Sequence, residues 1–138
     1  MMKKILFIFV LILLSLMCRA PELSVLHIIM PDIINSFEPL VKAITYVESC
    51  DGKYTYNKAK NSVGWFQIRQ IRVDDYNQRT GSNYKLENFY DYKLSRKMFL
   101  YYASGKTFEQ AAKRWNGSGP KTIKYWSKVQ ITLKILTN

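Results

Sequence analysis

SFEPLVKAITYVESCDG, residues 36–52, is the stretch on which the reading of the fold turns. Ser36 suits a helix N-cap, with Glu38 and Pro39 in the first turn. Leu40, Val41, Ile44 and Val47 recur at helical spacing, and Cys50-Asp51-Gly52 ends the helix. Glu48 interrupts this simple pattern. At about 100° per residue it lies about 40° from Ile44 and about 20° from Val41, on the flank of the apolar stripe. It also sits in the last turn, where the negative end of the helix dipole disfavours an anion. Both surroundings favour a carboxyl that keeps its proton. A snorkelling glutamate at a helix end is the ordinary alternative, and position alone does not separate the two.

Outward from this helix the chain reads as a mostly helical domain with little or no β-sheet. Lys53 to Asn61 is polar, aromatic and loop-like, and Val63-Gly64-Trp65-Phe66-Gln67-Ile68 is either short and extended or a tight turn entering a helix. A helix is expected through Arg72 to Arg79, stopping at Gly81. Asp91 suits the cap of another, with Leu94, Met98, Tyr101 and Tyr102 on one face. Thr107 and Gln110 form a capping box ahead of Phe108, Ala111, Ala112 and Trp115, which fall on one helical stripe. Asn116-Gly117 ends that helix. Pro120 opens a last one with an expected stripe of Ile123, Trp126, Val129, Leu133 and Leu136. No internal repeat or low-complexity segment interrupts the sequence.

With 138 residues, 48% of them hydrophobic, the chain suits one domain with a real core. The formal net charge of +11 implies an anionic partner. Its cations look scattered along the sequence (Lys53, Lys58, Lys60, Arg69, Arg72, Arg79, Arg96, Lys97), with no RNA-recognition motif, zinc spacing or basic-leucine repeat, so basicity alone names no partner. His27 is the only histidine, which argues against Ser-His-Asp or Cys-His catalysis and against a histidine-based metal site; neither cofactor nor metal is expected.

The N-terminus points to export. Lys3 and Lys4 precede an apolar run from Ile5 to Met17, a charged region followed by a hydrophobic one of secretory length. Residues 1–20 therefore read as a leader, either cleaved near Ala20 or lipid-modified at Cys18. Residues 21–35 read as a tether and 36–138 as the catalytic domain. On this reading the protein works in the periplasm or cell envelope, meets membrane only through its leader or a lipidated Cys18, and has no nucleic acid within reach. Cys18–Cys50 is the sole disulfide the composition allows.

Four motifs in order give Glu48 a context. Glu48-Ser49 resembles the Glu-Ser motif of SLT-type lytic transglycosylases, a group sharing the goose-type lysozyme fold. Asn61-Ser62-Val63-Gly64-Trp65-Phe66-Gln67 is similar to that family's Gly-Ala-x-Gly-Leu-Met-Gln, Arg114-Trp115-Asn116-Gly117-Ser118 resembles its Ala-Tyr-Asn-Ala-Gly, and Tyr125-Trp126 falls where it often carries a final groove tyrosine. The resemblance covers roughly Ser36 to Val129. It departs at Asn61-Ser62 for Gly-Ala, at Trp115 for the usual tyrosine, and at Ser118 for a glycine.

This resemblance implies a single lysozyme-like domain that cleaves peptidoglycan. It makes Glu48 the catalytic acid and Ser49, Ser62, Phe66, Gln67, Trp115, Asn116 and Tyr125 the substrate-binding set. Gln67 can exchange hydrogen bonds with sugar N-acetyl or hydroxyl groups, and Asn116 can turn its amide into a cleft. Phe66 and Trp115 read equally well as groove or core. The family chemistry needs one carboxylate: the substrate's N-acetyl oxygen assists departure, and a 1,6-anhydro product forms. A goose-type muramidase would need a second, for which Asp51, Asp74 and Asp75 are the nearby choices. A non-catalytic, basic wall-binding or assembly protein of the same fold is the rival from another class. Wall remodelling, passage of a secretion or conjugation apparatus, phage entry and attack on rivals all suit a small lytic domain.

Overall fold

The computed structural model describes residues 36–137; the leader and tether assigned to residues 1–35 lie outside them. The described chain is mainly helical, with five α-helices and one small sheet. Helix α1 spans Glu38–Ser49. Strands β1 (Tyr56–Asn57), β2 (Ser62–Val63) and β3 (Ile68–Arg69) follow. Then come α2 (Gln70–Thr80), a 3-10 turn (Leu86–Tyr90), α3 (Tyr92–Ala103), α4 (Phe108–Asn116) and α5 (Lys121–Thr137). These elements belong to one compact unit, Ile33–Asn138. Among the described residues no helix is long and apolar enough to cross a membrane.

Helix α1 is the central strut and packs most extensively against α5, which also holds α4. Its buried face is Leu40, Val41, Ala43, Ile44, Thr45 and Ser49. The N-cap is Phe37 rather than Ser36, and the Phe37 side chain makes no capping hydrogen bond. The Phe37 ring packs against Phe108 at 5.4 Å, an apolar contact at the helix entry. At the other end Cys50 and Asp51 both adopt left-handed backbone, with φ of 50° and 59°. That strain is tolerated because the backbone N–H groups of Cys50 and Asp51 donate to Tyr46 and Thr45 carbonyls, and Thr45 Oγ1 donates to the Asp51 carboxylate at 2.8 Å.

The sheet is antiparallel in the order β1-β2-β3, with Tyr56 opposite Val63 and Val63 opposite Ile68. Strands of two residues carry little stability of their own. They are held by what the β2–β3 turn buries. Phe66 is fully buried, stacked on Phe99 at 5.4 Å and edge-on to Trp115 at 6.0 Å. Gly64 has φ +75°, and a Cβ there would lie 2.0 Å from the Phe89 carbonyl oxygen. Only glycine admits this close approach of the turn to the 3-10 segment.

Other caps follow the sequence. Asp91 accepts from the Leu94 N–H, and Thr107 and Gln110 form the reciprocal box. Two helix faces follow it in part: Leu94, Met98 and Tyr102 of α3 and Trp126, Val129 and Leu133 of α5 belong to the core or pack against it as expected. In α3 the buried residues are Ser95, Met98, Phe99 and Ala103, while Tyr101 is exposed. In α5 they are Thr122, Tyr125, Val129 and Thr132, and Ile123 and Leu136 face solvent. Threonines thus share the buried face of α5 with Tyr125 and Val129.

Candidate active site

The last turn of α1, the sheet, the start of α2 and the ends of α4 and α5 enclose a cleft with Glu48 in its wall. One hollow, about 340 Å³, is lined by Glu48, Asn57, Lys60, Ser62, Gln67, Arg69, Ile71, Arg72, Trp115 and Asn116, with Val47 and Lys121. A second shares Val47, Glu48, Lys60, Asn116 and Lys121 with it and extends along Lys124, Tyr125 and Lys128. Glu48 stands where the two meet. Among the described residues it is the sole carboxylate in the lining of either.

Tyr125 Oη donates to Glu48 Oε1 at 2.7 Å, spanning 77 residues of sequence. Burial pushes the Glu48 carboxyl above the ordinary glutamate range. The Tyr125 hydrogen bond and the charges of Lys60, Arg72 and Arg69 pull the other way without cancelling it. Burial, together with the neighbouring Glu48, likewise raises the Tyr125 phenol well above its usual range, so the tyrosine remains a neutral donor. The pair therefore holds a carboxyl that gives up its proton less readily than a free glutamate and has its orientation fixed.

Arg72 is clamped beside it. Its guanidinium lies 4.2 Å from the Trp115 ring centroid and 5.2 Å from that of Tyr102, and Nη2 donates to the Trp115 carbonyl at 2.8 Å. The Tyr102 hydroxyl in turn donates to Asp75 at 2.6 Å, and Arg79 donates to the same carboxylate oxygen at 2.8 Å.

Of the residues expected to bind substrate, Ser62, Gln67, Trp115, Asn116 and Tyr125 come together with Glu48 in the cleft lining. Ser49 and Phe66 do not reach it. Ser49 is buried; its hydroxyl donates to the Thr45 and Trp65 carbonyls and accepts from the Gly52 N–H, tying the end of α1 to the β2–β3 turn. Phe66 belongs to the core. Trp115 is 6% exposed and its Nε1–H donates to the Phe66 carbonyl, so it is a wall packed from behind rather than an open platform. The Gln67 amide N–H groups are taken by the Tyr54 and Gly64 carbonyls, and its oxygen accepts from Ser62. That network holds Gln67 at φ 50° and makes it a shaping residue. Asn116 is exposed at the junction of the two hollows.

The cations of the cleft were not legible as a group. Lys60, Arg69, Arg72, Lys121, Lys124 and Lys128 come from four separate elements or turns, and folding gathers what looks scattered in the sequence. Only the 121-124-128 spacing was visible as a helical face. Asp51, Asp74 and Asp75 are absent from the cleft lining and engaged with Thr45, Gln70, and Arg79 with Tyr102 respectively. No family model matches the chain, and neither a curated protein nor a solved structure matches it.

Proposed function

We propose that the protein is a peptidoglycan lytic transglycosylase of lysozyme-like fold that cleaves the MurNAc–GlcNAc β-1,4 bond with Glu48 as its single acid and base. The observation that carries this reading is the state of Glu48: a carboxyl biased toward its protonated form by burial, oriented by Tyr125 at 2.7 Å, in a cleft lined by no second carboxylate among the described residues. The ordered motifs from Glu48-Ser49 to Tyr125-Trp126 give it support from the sequence. Tyr125 also supplies a hydroxyl to the glutamate, which makes good the tyrosine replaced by Trp115. Export to the cell envelope, by cleaved leader or lipidated Cys18, belongs to the same proposal.

The chemistry balances around one carboxyl. Glu48 gives its proton to the glycosidic oxygen as the C1–O bond breaks, and the substrate's N-acetyl oxygen closes on C1. The Glu48 carboxylate then takes the proton of the muramyl 6-hydroxyl as that oxygen attacks C1. The acetamido group is released, a 1,6-anhydro ring forms, and Glu48 is protonated again. Cations at the cleft stabilise the carboxylate between the two steps. A hydrolase that activates water would call for a partner carboxylate about 5–9.5 Å away. Asp51, Asp74 and Asp75, the residues the sequence offered for that role, hold structural bonds outside the cleft lining.

A zymogram on purified cell wall tests the assignment. Glu48→Gln should fold, bind sacculi and lose activity by about 10²–10⁴-fold or more, while Asp51→Asn, Asp74→Asn and Asp75→Asn each clear the gel. A fully active Glu48→Gln protein would remove the basis of the proposal.

A further inference from the structure

The second hollow of the cleft has a charge pattern that acid–base chemistry at Glu48 does not use. Lys121, Lys124 and Lys128 fall at i, i+3 and i+7 of α5, within about 60° of one another and over about 10 Å of helix. Lys60, from the turn between β1 and β2, joins them in the lining. The three ion pairs among the described residues, Arg79–Asp75, Arg96–Glu38 and Lys113–Glu109, involve none of these four. Four cations thus crowd one hollow in which Glu48 is the one carboxylate among the described lining residues. Crowding like charges is unfavourable until an anion arrives.

We propose that this hollow is a subsite for carboxylates carried by the glycan strand, so that the strand is read by its negative charges as well as cleaved. The inference rests on the peptidoglycan reading for the strand's identity, but its physical basis, the unneutralised lysine row, is independent of turnover. Lysine acts as a point charge on a flexible stem rather than as a planar fork. A row of lysines accordingly suits carboxylates on mobile substituents, such as a lactyl group or the ends of a peptide stem. Nucleic acid fits less well: the one aromatic lining this hollow, Tyr125, is 8% exposed, so no ring is open for base stacking.

Binding of defined glycan oligomers to the Glu48→Gln protein, measured by calorimetry, separates this subsite from catalysis. Four ligands are compared: stem-free oligomers with free or amidated lactyl carboxylates, and stem-bearing oligomers with free or amidated stem carboxylates. Free carboxylates should bind about tenfold more tightly than their amides in at least one pair, and that pair names the source. Lys124→Gln/Lys128→Gln, made in the same background, should bring the ratio close to one, and Lys97→Gln, outside the cleft lining, should leave it as it was. Equal affinities for both members of both pairs would overturn the subsite, even where wild-type protein cleaves sacculi. A ratio erased equally by Lys97→Gln, or a single-stranded oligonucleotide that binds as tightly as the best glycan, would overturn it as well. Retained discrimination in a wild-type protein that cleaves nothing would support the subsite and remove the proposed activity.

Discussion

Two opposing influences meet on one carboxyl. Burial raises the Glu48 pKa, and the Tyr125 hydrogen bond is the first of the interactions that lower it, ahead of Lys60, Arg72 and Arg69. A donor to a carboxylate stabilises the charged form, so removing it moves the pKa upward. In the proposed reaction the free enzyme must begin protonated, and Glu48 then governs the alkaline limb of the pH–rate profile. Tyr125→Phe should therefore move that limb to higher pH while lowering kcat, because orientation of the acid is lost. Lys60→Gln should move it in the same direction with less loss of kcat. The profile of kcat/KM against pH on a soluble glycan reads both. A limb that moves downward in Tyr125→Phe would mean that the tyrosine stabilises the neutral acid instead. Part of this residue-scale picture was open to a reader of the sequence: the wheel position of Glu48 puts it on the flank of the apolar stripe, and the resemblance at Tyr125-Trp126 singles out Tyr125. Arg72 was not, since its place between Trp115 and Tyr102 depends on contacts across 43 and 30 positions of chain.

The joint between α1 and the β2–β3 turn carries the geometry of the cleft. Gly64 lies where a side chain would meet the Phe89 carbonyl oxygen, whereas a Cβ at Gly81 meets nothing within 4 Å; both have positive φ. Gly64→Ala should cost several times the roughly 1 kcal/mol of backbone strain expected for Gly81→Ala. Urea unfolding checks this, with a large fall in midpoint for the first and a small one for the second. Comparable losses would show that strain, not the close approach, dominates. Helix ends that rest on local chemistry were readable, as in the Asp91 cap and the Thr107–Gln110 box. The β1–β2–β3 hairpins were legible only in part, Lys53 to Asn61 as a loop and Val63 to Ile68 as either extended or a tight turn, because strands of two residues have too short a pattern to register. The faces of α3 and α5 were misjudged at Tyr101, Ile123 and Leu136, which are exposed, for another reason. Hydrophobicity points to Ile123 and Leu136, yet Thr122 and Thr132 are buried, their hydroxyls bonded to Gly119 and Lys128 carbonyls of the local backbone. A threonine that satisfies itself locally can be packed as a small apolar residue.

Over the whole molecule, basic charge surrounds a nearly solitary acid. Lys60, Arg69, Arg72, Lys121, Lys124 and Lys128 line a cleft whose one carboxylate is biased toward neutrality. Long-range attraction should speed encounter with an anionic wall, and exposed charges are screened within about 10 Å at 0.1 M salt. Binding to sacculi should accordingly weaken progressively as salt rises, while cleavage of short neutral chitin-like oligomers, where it occurs, changes much less. Equal sensitivity on both substrates would place the charge in the chemical step itself. The central claim, however, is that one carboxyl suffices and that water takes no part in the bond exchange. Digestion of sacculi in ¹⁸O-labelled water, followed by mass spectrometry of the released muropeptides, tests it most directly. The account predicts 1,6-anhydro ends, each lighter by one water than a reducing end and free of the label, from wild-type protein and none from Glu48→Gln. Reducing muramic acid ends carrying one ¹⁸O would contradict it and make the protein a hydrolase.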